Sequence, residues 1–136
     1  MNRISLQIVV AILGIVGVVT GIVGLVTGVT DKYYGVSNYE SKFLLDSNLR
    51  FFSGIWFCMG IWMLYIVPTI ERQKTTLRVL SFPVFFGGIG RIISMFAIGF
   101  PPALFIVFAI LELAFPLLLV WQHKTLPASL LRREYI

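Results

Sequence analysis

Four ionisable side chains stand where the 136-residue chain is otherwise apolar or nearly so: Asp46, Arg50, Arg91 and Glu112. Asp46 and Arg50 are four positions apart, which places them on one face of a helix. An ionised group at the centre of a membrane helix costs roughly 2.5–3.5 kcal/mol on insertion scales, so such residues turn inward, pair with one another and mark sites. Two acids and two arginines form a neutral set, as a desolvated cluster requires. A guanidinium holds carboxylate or phosphate through two parallel bonds, so two arginines favour an anionic head group. Asp46 and Glu112 would then hold the arginines in place when the pocket is empty.

The neighbours of these four suit a pocket with a polar end and aromatic walls, the kind of cavity that takes an amphipathic ligand. Gly87 precedes Arg91 by one turn and Ser94 follows it by three residues. Ser53, Trp56 and Phe57 lie beyond Arg50, and Asn48 lies between Asp46 and Arg50, where Asp46-Ser47-Asn48 also reads as a cap for the second helix. Pro116, four residues after Glu112, removes a helical hydrogen bond and frees the Glu112 carbonyl. The expected ligand-binding set is therefore Asp46, Asn48, Arg50, Ser53, Trp56, Phe57, Gly87, Arg91, Ser94 and Glu112.

Other chemistry finds little support. Gly87-Gly88-Ile89-Gly90-Arg91 is only superficially a phosphate loop, since no strand precedes it and it lies in an apolar run. The single histidine, His123, stands beside Lys124 at the opposite membrane face from the cluster, so no serine–histidine–acid set exists. The single cysteine, Cys58, can form no internal disulfide, and these counts exclude zinc, haem and iron–sulfur sites. No cofactor is expected and no residue set supports an enzyme. The net charge of +5 comes without a basic stripe interleaved with aromatics, which removes nucleic acid as a partner.

The elements that must position the cluster follow from composition. Hydrophobic residues make up 58% of the chain and charged residues 12%, against about 25% charged in soluble domains. The excess must face lipid. Four apolar runs, about 4–29, 48–67, 77–100 and 103–121, each approach the roughly 20 residues that cross a hydrocarbon core as helix. The fold class expected is an all-α membrane protein, one domain over residues 1–136, forming an antiparallel four-transmembrane-helix bundle. The first run exceeds the length of a signal-peptide core and no convincing cleavage site follows, so it reads as a retained span.

Orientation follows from lysine and arginine. Arg3, then Arg72, Lys74 and Arg78, then Lys124, Arg132 and Arg133 fall on one side; Lys32 and Lys42 share the other with Asp31 and Glu40. Both termini are expected in the cytoplasm, with Tyr33, Tyr34 and Tyr39 at the outer interface and Tyr65 and Trp121 toward the inner one. In that frame Arg91 and Glu112 lie at similar depth, about nine residues or roughly 13 Å below the outer ends of their spans. Arg50 starts higher and reaches down.

The first span has its own pattern. Gly14, Gly17, Gly21, Gly24 and Gly28 recur at steps of three and four, which gathers them on one face where another backbone can approach closely. This is a helix-packing surface, for another span, a second copy of the chain or a partner membrane protein.

Leu45-Asp46-Ser47-Asn48-Leu49-Arg50-Phe51-Phe52-Ser53-Gly54, then Gly87-Gly88-Ile89-Gly90-Arg91, then Leu111-Glu112-Leu113 with Pro116, resemble the bacterial family catalogued as domain of unknown function 4345 over nearly the whole chain. The resemblance implies a four-span inner-membrane protein, loosely similar to DoxX-type proteins, in which Asp46, Arg50, Arg91 and Glu112 match the family's polar positions. It implies no activity. The leading expectation is a non-enzymatic protein that binds a lipid-like or small amphipathic molecule from the outer leaflet. The others are a structural or assembly subunit docking through the glycine face, a small transporter in which Glu112 carries a proton, and a cluster that serves only as a buried ionic lock.

Overall fold

A computed structural model describes residues 3–29 and 39–125. All regular structure among them is helical: α1 (Arg3–Thr27), α2 (Tyr39–Ile66), α3 (Lys74–Ile98), α4 (Ala103–Ala114) and α5 (Leu117–Thr125), with a 3-10 segment, Val67–Arg72, after α2. Three helical stretches, Arg3–Thr27, Lys42–Arg72 and Lys74–Ile98, are long and apolar enough to cross a membrane; α4 and α5 qualify together as a fourth, bent by 45° at their junction. This is the signature of a multi-pass membrane protein. Asp31, Lys32, Tyr33, Tyr34, Arg132 and Arg133 lie outside the described residues, as do the side chains of Tyr39 and Glu40.

The ends of these helices have local causes. Gly28 stops α1 with φ +58, a left-handed conformation that glycine adopts without a Cβ penalty. Gly99 stops α3 with φ +121, and Pro101 and Pro102 prevent resumption until Ala103. The second helix starts at Tyr39, earlier than the apolar run beginning near Asn48. Glu40, Lys42, Leu44 and Leu45 are good helix formers, so the helix extends into a segment whose polarity hides it from a hydropathy reading. Asp46 and Ser47 are consequently inside the helix and do not cap it. Pro116 divides the last apolar run into α4 and α5. Its junction is closed by short-range bonds, from Phe115 N–H to the Glu112 carbonyl at 3.2 Å and from Leu118 N–H to the Phe115 carbonyl at 3.0 Å. The Glu112 carbonyl, expected to be free, therefore has a donor.

The chain forms two compact units. In residues 8–68, α2 runs antiparallel along the glycine face of α1. Gly14, Gly17, Gly21 and Gly28 are buried. A Cβ on Gly17 would stand 3.1 Å from the Gly60 Cα, and one on Gly21 would stand 2.7 Å from the Phe57 backbone nitrogen. Gly60 answers from α2, where an added Cβ would meet the Val18 nitrogen at 2.6 Å. Such approach gains backbone dispersion contacts that larger side chains would prevent. The opposite ridge of α1, Ile8, Ile12, Ile15, Val19, Ile22 and Val26, is exposed. The glycine face of α1 is thus taken by α2 within the chain.

The second unit, residues 1–7 and 69–136, is built on α3 and α4 packed antiparallel. Leu77, Leu80, Val84, Met95, Ala109, Phe115 and Leu118 are buried in it. Two polar bonds join the start of α1 and the end of α5 to the segment after α2. Arg3 Nη2 meets Glu71 Oε1 at 3.1 Å, and the fully buried Gln122 side chain donates to the Ile70 carbonyl.

Candidate functional site

The four charges form two pairs, one in each unit. In the first, Arg50 Nε donates to Asp46 Oδ2 at 2.7 Å, one helical turn away on α2. The same guanidinium reaches α1, where Nη1 donates to the carbonyls of Leu25 and, at 3.2 Å, Val26. The second Asp46 oxygen accepts the Val29 N–H at 2.7 Å. The last four carbonyls of a helix have no intrahelical donor, and the helix dipole makes that end negative. Asp46 and Arg50 together close the C-terminal end of α1, a task that consumes both carboxylate oxygens and two of the three guanidinium nitrogens. These residues, expected to face a ligand, are engaged with the backbone.

The side chains grouped with them belong to the same helix seam. Ser53 is buried against Gly24, Phe57 packs on Gly21, and Trp56 Nε1 donates to Thr20 Oγ1 at 2.9 Å. Asn48 is exposed. Among these the sequence reading missed Thr20 and Gly60. The signal for Thr20 was its being a hydroxyl in a helix of Ile, Val and Gly; Gly60 repeats on α2 the smallness of the α1 face.

In the other unit, Arg91 Nε on α3 donates to Glu112 Oε2 on α4 at 2.8 Å. The close approach of the two helices comes from Gly88, where a Cβ would stand 3.0 Å from Leu113 Cγ and 3.1 Å from Glu112 Cβ. Gly87, the glycine expected at the site, is exposed, and a Cβ there would meet nothing within 4 Å. The helical period decides this: neighbouring positions point about 100° apart, and only one can face α4.

The Glu112 side chain is the more buried of the pair, 13% exposed against 37% for Arg91. The Arg91 guanidinium lies 5.8 Å over the Phe105 ring, within reach of a cation–π attraction. Its two terminal nitrogens have no hydrogen-bond partner among the described residues. Arg91 lines a cleft of about 350 Å³ whose other walls include Ser94, Met95, Ile98, Phe100, Pro101 and Phe105. Of the expected ligand-binding set, this cleft takes in Arg91 and Ser94, and Glu112 is bonded to Arg91 without lining the cleft. Aromatic walls were expected, but from Trp56 and Phe57 and not from Phe100 and Phe105. The observed walls come from the turn between α3 and α4, and no periodicity shows which way a turn folds.

Elsewhere in that unit, Glu71 Oε2 and Trp121 Nε1 are buried without a hydrogen-bond partner among the described residues. Nothing in the sequence around Glu71 announces its burial.

None of the curated proteins and none of the solved structures matches the chain. A family model described as a domain of unknown function (DUF4345) matches residues 5–123, a stretch that holds the glycine seam, both charge pairs and the cleft. That match covers most of the sequence, and the chain belongs to the DUF4345 family.

Proposed function

We propose that this protein binds a lipid-like or small amphipathic molecule in the cleft between the end of α3 and the start of α4, with the terminal nitrogens of Arg91 on its polar end. The observation that carries this reading is that Arg91 lines an apolar cleft while its guanidinium is bonded to Glu112 through Nε, its other donors having no acceptor among the described residues. In a hydrocarbon setting an unused donor is costly, and a ligand acceptor would relieve that cost. The cleft volume falls at the lower end of ligand sites, enough for a head group and the first part of a chain whose remainder stays in lipid.

The setting proposed is a bacterial inner membrane, with four antiparallel spans, α4 and α5 sharing the last, and both termini cytoplasmic. The family resemblance and the basic residues of one side support it. Arg3 bonds Glu71, and Gln122 bonds Ile70, which brings the start of α1, the segment after α2 and the end of α5 to one end of their unit. The cleft, at the other end of α3, then opens toward the outer leaflet. Native mass spectrometry of detergent-purified protein tests the binding. The wild type should retain a small amphiphile that Arg91→Ala, with unchanged helicity, releases; equal retention by both counts against the site.

A further inference from the structure

We infer that the head group taken by the Arg91 cleft is neutral and carries a hydrogen-bond-accepting carbonyl, such as an ester or ketone, and that anionic heads are discriminated against. The inference rests on the binding reading above and deepens it. The sequence alone favoured an anion because it offered two arginines. Arg50 is spent on Asp46 and on the carbonyls of Leu25 and Val26. Arg91 remains, and Glu112 already stands 2.8 Å from its Nε. That pair sums to zero charge.

An anion entering the cleft would turn a neutral pair into a triad of net charge −1. It would gain the attraction of Arg91 and meet the repulsion of Glu112, while giving up hydration to the apolar walls. With a carboxylate already bonded to the same guanidinium, much of the attraction is cancelled and the desolvation is not. Nothing among the other lining residues offsets this, because Met95, Ile98, Phe100, Pro101 and Phe105 carry no charge and Ser94 offers one hydroxyl. A neutral carbonyl loses far less hydration. Its oxygen accepts from the terminal nitrogens of a charged guanidinium, and such charge-assisted bonds are the stronger kind. The apolar walls then cover whatever the carbonyl is attached to.

The test uses the full chain in detergent and four samples of ligand competition by native mass spectrometry: dioleoylglycerol for a lipid-borne ester, 2-tridecanone for a free carbonyl compound, oleyl phosphate for an anion, and octadecene for a chain without an acceptor. Wild type should hold one of the two carbonyl compounds at least about tenfold more tightly than oleyl phosphate or octadecene, and the tighter of the two names the source. Glu112→Gln keeps the shape of the side chain and removes the opposing charge, so it should raise the phosphate-to-carbonyl preference at least about tenfold. Wild-type preference for oleyl phosphate, or a preference that Glu112→Gln leaves unmoved, overturns the inference and leaves the cleft as a binding site. No retention of any of the four, or retention indifferent to Arg91→Ala, overturns the binding reading and the inference with it.

Discussion

The guanidinium of Arg50 donates to the carbonyl of Leu25, a residue 25 positions earlier and on another helix. Through this bond α2 supplies the donors that the end of α1 lacks. An unmet carbonyl at a helix end keeps its desolvation cost to the extent that water is excluded from it. Arg50→Ala should therefore lower stability by about 1 kcal/mol, the low end of the cost of an unsatisfied acceptor, because the bond is part-buried and the side chain 41% exposed. Arg50→Lys should recover only part of it, since an ammonium cannot hold Asp46 and α1 through separate nitrogens of one plane. Denaturant unfolding in mild detergent reads both. Wild-type stability in Arg50→Ala would show that the bond is incidental.

The glycine seam makes a sharper contrast. A Cβ at Gly21 meets the Phe57 backbone nitrogen at 2.7 Å, where something must shift. Gly21→Ala should cost about 1–3 kcal/mol, the range for overpacking a tight contact. Gly87 lies in α3 with open space around it. There the same substitution should stabilise by roughly 0.5–1 kcal/mol through helix propensity alone. Two melting curves decide the matter, and like signs for the two variants would contradict the seam.

Hydropathy and glycine spacing were sufficient to find the apolar runs and the packing face of α1, because both signals are periodic and survive in one dimension. The start of α2 was hidden, since Glu40 and Lys42 lower hydropathy while favouring helix. The ionic residues were also visible, as charges in apolar runs must be. What each one touches was not. The sequence does not show that Arg50 bonds the carbonyls of Leu25 and Val26, because that depends on where α1 ends. The walls of the Arg91 cleft depend on the turn at Gly99-Phe100-Pro101-Pro102, and Gln122 gained its role from the distant Ile70 carbonyl.

That turn can be tested through its glycine. Gly99 has φ 121 and ψ 177, a region occupied essentially by glycine alone. No atom stands within 4 Å of an added Cβ, so any cost of Gly99→Ala is backbone strain, not collision. The expected loss is about 1–3 kcal/mol. Gly90→Ala, also in open space but within α3, is the control and should be neutral or slightly stabilising. Equal stability of the two variants would mean that the turn adopts another backbone path.

The pairing of Arg91 with Glu112 predicts a non-additive pattern. Arg91→Met alone strands a carboxylate that is 13% exposed, and Glu112→Leu alone strands a guanidinium beside Phe105. Breaking a buried pair from one side costs about 3–5 kcal/mol at full burial; the 37% exposure of Arg91 places the Glu112→Leu loss below that range. The double variant leaves no uncompensated charge and fills the same space with apolar atoms. It should be more stable than Arg91→Met and within about 1–2 kcal/mol of wild type, because replacing an ion pair by hydrocarbon is often neutral. The coupling from a double-mutant cycle would then be at least about 1 kcal/mol. Additive losses would mean that the two side chains act independently, and the fixed guanidinium on which the cleft depends would be lost with the pair.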